Sequence, residues 1–414
     1  MRGPKHAPHS VRAVLDALRL SNANLGGLGE LSDLEWREAL AFCDDERLTL
    51  ALGAVCGDHP PDWVRQRLAG NLAANDERRR RLWLVYEEIA HALRSAGVEF
   101  VALKGFAHCP DFVPDPKLRV QYDLDLYCLP ENVQRAYEAA SALGYEPIRG
   151  FEQFPLDHLP VMIRKTGWQW RGDYFDPDFP PSLELHFRLW NPGIERFGPA
   201  GLDAFWGRRV QRELDGHRFW TLDRADALAY ACLHLLRHLF RGHLRAYQIL
   251  EVAHFLDRHS DDDRFWEEWR GTHQPSLRRL EAVCFAWARD WFGCRLGGAS
   301  SEEVDALPVR IRRWIEEYSY APLDALWYPN KDELWLHLSL LESGRDKAAV
   351  MLRRLAPVRL PGPVEAVHVP AEQKTRRRRA EARLRYGAFL ARRILWHLRA
   401  LPRLIVSGLR WWHS

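Results

Sequence analysis

Two acids set two residues apart in an apolar run constrain this chain more than any other stretch. The run is Asp123-Leu124-Asp125-Leu126-Tyr127. On a strand, side chains repeat every second residue, so both acids take one face and both leucines the other. The leucine face predicts a sheet packed on a core. The acid face predicts either a solvated edge or a site where a cation holds two neighbouring carboxylates ionised. Mg²⁺ or Mn²⁺, which take oxygen ligands, are the simplest such cations. Upstream, Val98 to Leu103 reads as a strand that ends in Lys104-Gly105. Downstream, Ser182-Leu183-Glu184-Leu185-His186-Phe187 reads as a third strand with one more acid, and His186 falls on the face of Glu184.

The flanks read differently. From Val11 to about Ala96 the pattern is helical, with helix starts at Asp33 and after Pro60-Pro61, and residues 62–96 form two helices or one long bent one. Glu131 to Leu143 reads as a short helix closed by Gly144, and Tyr145 to Ile148 as a strand. Residues 150–181 are rich in Pro, Gly and aromatics and suggest a hairpin presenting Trp168 and Trp170. Val210 to Leu222 reads as a hairpin turning at Asp215-Gly216. Asp223 caps a helix to Phe240, and further helices are expected near 244–258, 276–292, 303–318, 331–342 and 346–355. The expected fold is α+β: a small mixed sheet between helical flanks. Four regions follow: a helical region 1–97, a sheet core 98–222, a second helical region 223–358, and a linker and tail 359–414.

With 47% apolar residues the chain can bury a sizeable core. Its seven cysteines are odd in number, irregular in spacing and without a C-x-x-C pair. That favours reduced thiols and a cytoplasmic setting over a disulfide framework. Residues 1–10 lack an apolar stretch of signal length, and no run is long and apolar enough to predict a membrane span.

The net charge of +3 hides a split. Residues 374–414 carry 12 Lys/Arg against one acid, Glu381, while the rest of the chain balances at −8. Apolar residues interleave with arginines over 376–414, which reads as a basic amphipathic helix. It is suited to packing on the acidic body or to lying on an anionic membrane surface. The body lacks a comparable basic stripe, so a nucleic-acid partner is not expected.

The ordered set Leu103-Lys104-Gly105, Arg119, Asp123-Leu124-Asp125-Leu126, Leu143-Gly144-Tyr145 and Leu183-Glu184-Leu185-His186-Phe187 resembles the uncharacterised nucleotidyltransferase family. That family lies within the polymerase-β-like nucleotidyltransferase superfamily. The helix with His234 and His238 is similar to the family's downstream helical region. The resemblance implies a glycine turn opening a helix whose amides hold nucleotide phosphates. Gly105 would allow close backbone approach and Lys104 would add charge, while Arg119 would either bind phosphate or pair with an acid. Asp123, Asp125 and Glu184 would hold Mg²⁺ or Mn²⁺, with Glu184 also acting on the acceptor hydroxyl; His186 would touch substrate, orient a carboxylate or serve as a structural hydrogen-bonding group. One departure stands out: the wider superfamily has Gly-Ser or Gly-Gly at the turn, and this chain has Gly105-Phe106.

The implied function is metal-dependent transfer of a nucleotidyl group from an NTP to an unidentified hydroxyl acceptor, with release of pyrophosphate. Two alternatives stand beside it. One is a non-catalytic nucleotide-sensing or membrane-adaptor module on the same fold. The other is an Asp-x-Asp glycosyltransferase, which requires alternating strands and helices ahead of Val98. His234 and His238, four apart on one helix face, lack the Glu of an H-E-x-x-H site and suit a structural role, with Arg245 and Glu251 joining their polar cluster.

Overall fold

The computed structural model describes residues 3–148, 157–355 and 376–412. Seven strands form one mixed sheet: β1 (Val101–Ala102), β2 (Asp123–Tyr127), β3 (Tyr145–Pro147), β4 (Met162–Arg164), β5 (Ser182–His186), β6 (Val210–Leu214) and β7 (His217–Thr221). Their spatial order is β3-β4-β5-β2-β1-β7-β6. The β2–β5 and β1–β7 pairs are parallel and the rest antiparallel. The sheet's centre is therefore β5-β2-β1, the three strands that carry the candidate residues. Helices precede and follow the sheet, so the α+β reading holds. Among the described residues before Val98 there are helices and no strand, so the alternation a glycosyltransferase would need is missing there.

One helix, Asp62–Ser95, spans the whole of the stretch read as one or two. At 1.5 Å per residue its 34 residues extend about 50 Å, enough to cross the sheet and its loops. Trp83 and Tyr86 on this helix lie 4.3 Å and 5.0 Å, ring to ring, from Phe106. Phe106 also meets Phe219 of β7 at 4.9 Å. The residue that replaces the superfamily's small turn residue is thus a buried anchor between helix and sheet. Farther along, Asn75 donates to the carbonyls of Lys117 and Arg119. Arg78 donates to those of Tyr174 and Asp176. These bonds fix loops that otherwise have no ladder.

A second, larger core joins residues from Ala7 to Leu68 with the helices after Arg224, so the N-terminal and later helices pack on one another. Local signals place several of these helices. Ser32 and Glu35 form a reciprocal capping box before Asp33–Glu46. Asp223 accepts from the Asp226 amide at the head of Arg224–Arg241.

Some expectations shift. Trp168 and Trp170 do not sit on a hairpin. Among the described residues of 150–181 only Met162–Arg164 is strand, paired with β3 and β5, and the Trp168 indole donates to Asp176 at 2.9 Å. The segment read as one helix over 303–318 is two, Gly298–Asp305 and Val309–Tyr318, because Pro308 lacks the amide a continuous helix needs. A helix at Asp263–Thr272 was not expected. The Pro-rich linker lies outside the described residues.

Candidate functional site

Backbone register assembles the site. In the parallel β2–β5 ladder Asp125 stands opposite Glu184, and Tyr127 opposite His186. The Leu103 amide donates to the Asp125 carbonyl at 3.0 Å, which delivers Lys104 beside β2. Lys104 Nζ lies 3.2 Å from both Asp123 Oδ2 and Asp125 Oδ2. His186 Nε2 lies 3.1 Å from Asp125 Oδ1 and 3.4 Å from Glu184 Oε2. Carboxylate oxygens only accept, so Nε2–H is the donor to both. Asp123, Asp125 and Glu184 therefore meet Lys104 and His186 in one buried patch at the centre of the sheet.

Electrostatics follow from that packing. Burial works against the Lys104 ammonium, yet Asp123, Asp125 and Glu184 outweigh it and raise its pKa well above the usual value. Burial also opposes the His186 imidazolium, but its bonds to Asp125 and Glu184 win and its pKa rises. Burial alone would raise Glu184; the hydrogen bond from His186 and the charge of Lys104 hold it low instead. His158 is different, because burial lowers its pKa and keeps it neutral. Its Nδ1–H donates to the Leu159 carbonyl at 2.6 Å. That turns a lone pair on Nε2 toward Glu184 Oε2 at 3.7 Å, an arrangement that a shared proton or cation satisfies.

The donor set tests whether a metal fits. One ligand atom each from Asp125, Glu184 and His186 lie within 4.8 Å of one another. Two carboxylate oxygens and an imidazole nitrogen suit a divalent cation that takes the place of the His186 Nε2 proton, and the nitrogen inclines the choice toward Mn²⁺ over Mg²⁺. Asp123 stands outside this trio and inside the reach of Lys104.

Gly105 has a structural reason to be glycine. Its φ is +74°, and a Cβ there would lie 2.2 Å from Gln121 Nε2. Gln121 uses its amide twice: Oε1 accepts from the Phe106 amide at 3.0 Å, and Nε2 donates to the Asp123 carbonyl at 2.7 Å. The space over Gly105 that the resemblance gave to phosphate is filled by this side chain. The helix that the turn opens, Gly105–His108, is a single four-residue 3-10 turn.

Arg119 is committed as well. Its Nε lies 2.5 Å from Glu251 Oε1, and Glu251 Oε2 takes His108 Nδ1 at 3.0 Å. Glu251 thus joins Arg119 and His108, not the histidine pair. Arg119 also covers the Tyr247 ring at 5.3 Å, and Arg47 covers the same ring at 5.2 Å and that of Tyr122 at 4.8 Å. Both guanidinium groups feel the charge of Asp123. Arg47 and Tyr247 were not expected from sequence. Arg47 has a weak signature: it caps Asp33–Glu46 at φ +59°, a conformation that seldom suits a bulky residue.

His234 and His238 form a directed chain. Gln248 Nε2 donates to His234 Nδ1, His234 Nε2–H to His238 Nε2, and His238 Nδ1–H to the His243 carbonyl. Every ring nitrogen is used and both rings are neutral, burial first among the causes.

Two neighbouring parallel strands that bring Asp125 and Glu184 together, with a lysine and a histidine beside the acids and helices on either side, define an α+β protein with a candidate cation site. The chain belongs to the uncharacterised nucleotidyltransferase family, whose model matches residues 32–293. No curated protein and no solved structure matches it. The family supports a role in nucleotidyl transfer.

Proposed function

We propose that this protein transfers a nucleotidyl group from an NTP to a hydroxyl-bearing acceptor and releases pyrophosphate, with Mn²⁺ or Mg²⁺ as cofactor. The observation that carries the reading is the Asp125–Glu184–His186 donor set beside Asp123 and Lys104. In this reading Asp125, Glu184 and His186 hold the cation, with Asp123 adjoining. A divalent cation there would neutralise charge on the phosphates. Arg47 binds and orients the triphosphate, joined by Lys104 once the cation takes over Asp125. Glu184 takes the proton of the acceptor hydroxyl as its oxygen bonds the α-phosphorus and the bond to the pyrophosphate oxygen breaks. Chain regions 98–222 and 223–358 serve as the catalytic sheet and its helical support.

The test is incubation with each labelled NTP, Mg²⁺ or Mn²⁺ and a cell lysate, followed by separation of labelled protein, RNA and small molecules. Asp125→Asn should abolish transfer. Glu184→Gln should lose turnover while sparing NTP affinity measured by calorimetry. Transfer at the wild-type rate by both Asp123→Asn and Asp125→Asn would refute the reading. One observation favours the non-catalytic nucleotide-sensing alternative: Gln121 occupies the Phe106 amide and the space over Gly105. NTP binding without transfer to any fraction would select it.

A further inference from the structure

The Arg376–Trp412 helix has two apolar faces, and the body uses one. On the docked face Ala400 and Leu404 are buried. Trp335 donates to Ser407 Oγ at 3.1 Å, and its ring lies so close to Gly408 that an added Cβ would stand 2.7 Å away. Arg403 lies over Tyr328 at 3.5 Å and donates to the Pro329 carbonyl.

The other face is open. Leu384, Leu395, Leu398, Ile405 and Leu409 are 48 to 74% exposed. At 100° per residue these five fall within an arc of about 80°, roughly opposite Ala400 and Leu404. The row runs about 38 Å along the helix. Arg385, Arg399 and Arg410 each follow a row position by one residue, Arg392 falls between them on the same side of the helix, and all four are exposed. They form a basic border along one side of the row. The tail's only acid, Glu381, is taken by Arg377.

We propose that this free face binds an anionic phospholipid surface, with the leucine row in the acyl boundary and the arginine border among the headgroups, while the opposite face holds the body against it. Charge selects the occupant. A second copy of the helix would bring arginine border to arginine border with almost no acid to compensate. A nucleic acid would meet the arginines but leave the leucine row in water. An anionic bilayer satisfies both. No described helix is long and apolar enough to cross a membrane, so the helix lies in the interface plane. The proposal is independent of the chemistry proposed for the sheet.

Flotation of the full chain with vesicles of phosphatidylcholine alone, or mixed with phosphatidylglycerol, tests it. The wild type should float with the mixed vesicles and not with phosphatidylcholine alone, and added salt should release it. Arg392→Ser with Arg399→Ser should weaken partitioning roughly thirty-fold, the effect of two charges near an anionic surface. Leu395→Glu with Leu398→Glu should weaken it at least about tenfold with every arginine intact. All four positions are exposed, so the fold is not at stake. Failure of the wild type to float with mixed vesicles would overturn the proposal, as would unaltered flotation of the leucine variant. A dimer in light scattering that the leucine variant loses, without vesicle binding, would assign the face to a second copy. RNA retention that depends on the arginines and not the leucines would assign it to nucleic acid.

Discussion

Gly105→Ala should be among the costliest small substitutions in this protein, and Gln121→Ala should make it tolerable. The backbone at Gly105 has φ +74°, where an L-residue other than glycine costs about 1–2 kcal/mol. The new Cβ would also fall 2.2 to 2.4 Å from three atoms of the Gln121 amide, so that amide must leave. Its departure breaks two hydrogen bonds and strands the Phe106 amide and the Asp123 carbonyl. Two buried, unpaired backbone groups add roughly 2–4 kcal/mol. Gly105→Ala should therefore cost about 3–6 kcal/mol. Gln121→Ala strands the same two groups and should cost roughly 2–4 kcal/mol by itself. Once Gln121 is gone, adding Gly105→Ala should cost only the backbone term, about 1–2 kcal/mol. The cycle thus predicts a coupling of roughly 2–4 kcal/mol between neighbours that share one space. Urea unfolding of the four proteins, with midpoints compared at constant m, measures it. If Gly105→Ala costs the same in both backgrounds, Gln121 is not what holds this turn, and the account of Gly105 is wrong.

Glu251→Gln should destabilise the fold by about 3–5 kcal/mol by leaving buried Arg119 without its counter-charge, and Arg119→Met in the same protein should recover much of that. Equal stability of Glu251→Gln and wild type in urea would mean that Arg119 is held elsewhere. Stability should also have a maximum near pH 6.5, for two separate reasons. His273 lies between Asp226 at 3.2 Å and Glu281 at 2.9 Å; burial opposes its charge, but these acids push its pKa up to about 9. A value above the unfolded one gives stability that is complete below about pH 6.5 and lost as pH rises through about 9, on the order of 3 kcal/mol. His234 and His238 are held neutral, so they withhold protons that the unfolded chain binds, and stability should fall as pH drops below about 6.5. Thermal melts across pH should show both limbs, with His273→Gln flattening only the alkaline one; an unchanged alkaline limb would remove His273 from the account.

Much of the sheet was legible because strands advertise themselves by alternation. Leu124 and Leu126, like Leu183 and Leu185, are almost wholly buried, and the acids between them face the other way. The β6–β7 hairpin was legible from Asp215-Gly216, both of which adopt positive φ at the turn. β1 was less so. Val98 and Phe100 are buried like strand residues but pair with nothing in the ladder, which begins only at Val101. The Asp263–Thr272 helix was missed because the run His259 to Asp262 reads as a loop. Its signal was present, however: Asp262 accepts from the Phe265 amide, an N-cap followed by Phe265, Trp266 and Trp269 on a buried face.

The candidate site divides along the same line. Asp123, Asp125, Glu184 and His186 lie on the neighbouring strands β2 and β5, with Lys104 just beyond β1, so a period of two was enough to put Asp123 with Asp125 and Glu184 with His186 before any contact was known. The residues that decide what the site's other members do come from helices far along the chain, and no local period encodes them. Arg119 shows the difference. Its place four residues before Asp123 puts it at the mouth of β2, which sequence could see. Its charge is spent on Glu251, which lies 132 residues away and arrives only when the Ala246–Arg258 helix packs against the sheet's flank. Arg47 reaches Tyr247 across 200 residues in the same way. Arg119, one of the two cations that sequence brought toward the phosphates, is therefore already paired, while Arg47, unseen in sequence, is partly buried beside Asp123. Nucleotide affinity should accordingly fall with Arg47→Met and scarcely change when Arg119 and Glu251 are replaced together, because a guanidinium whose charge is already matched by a buried carboxylate has little left to offer a phosphate.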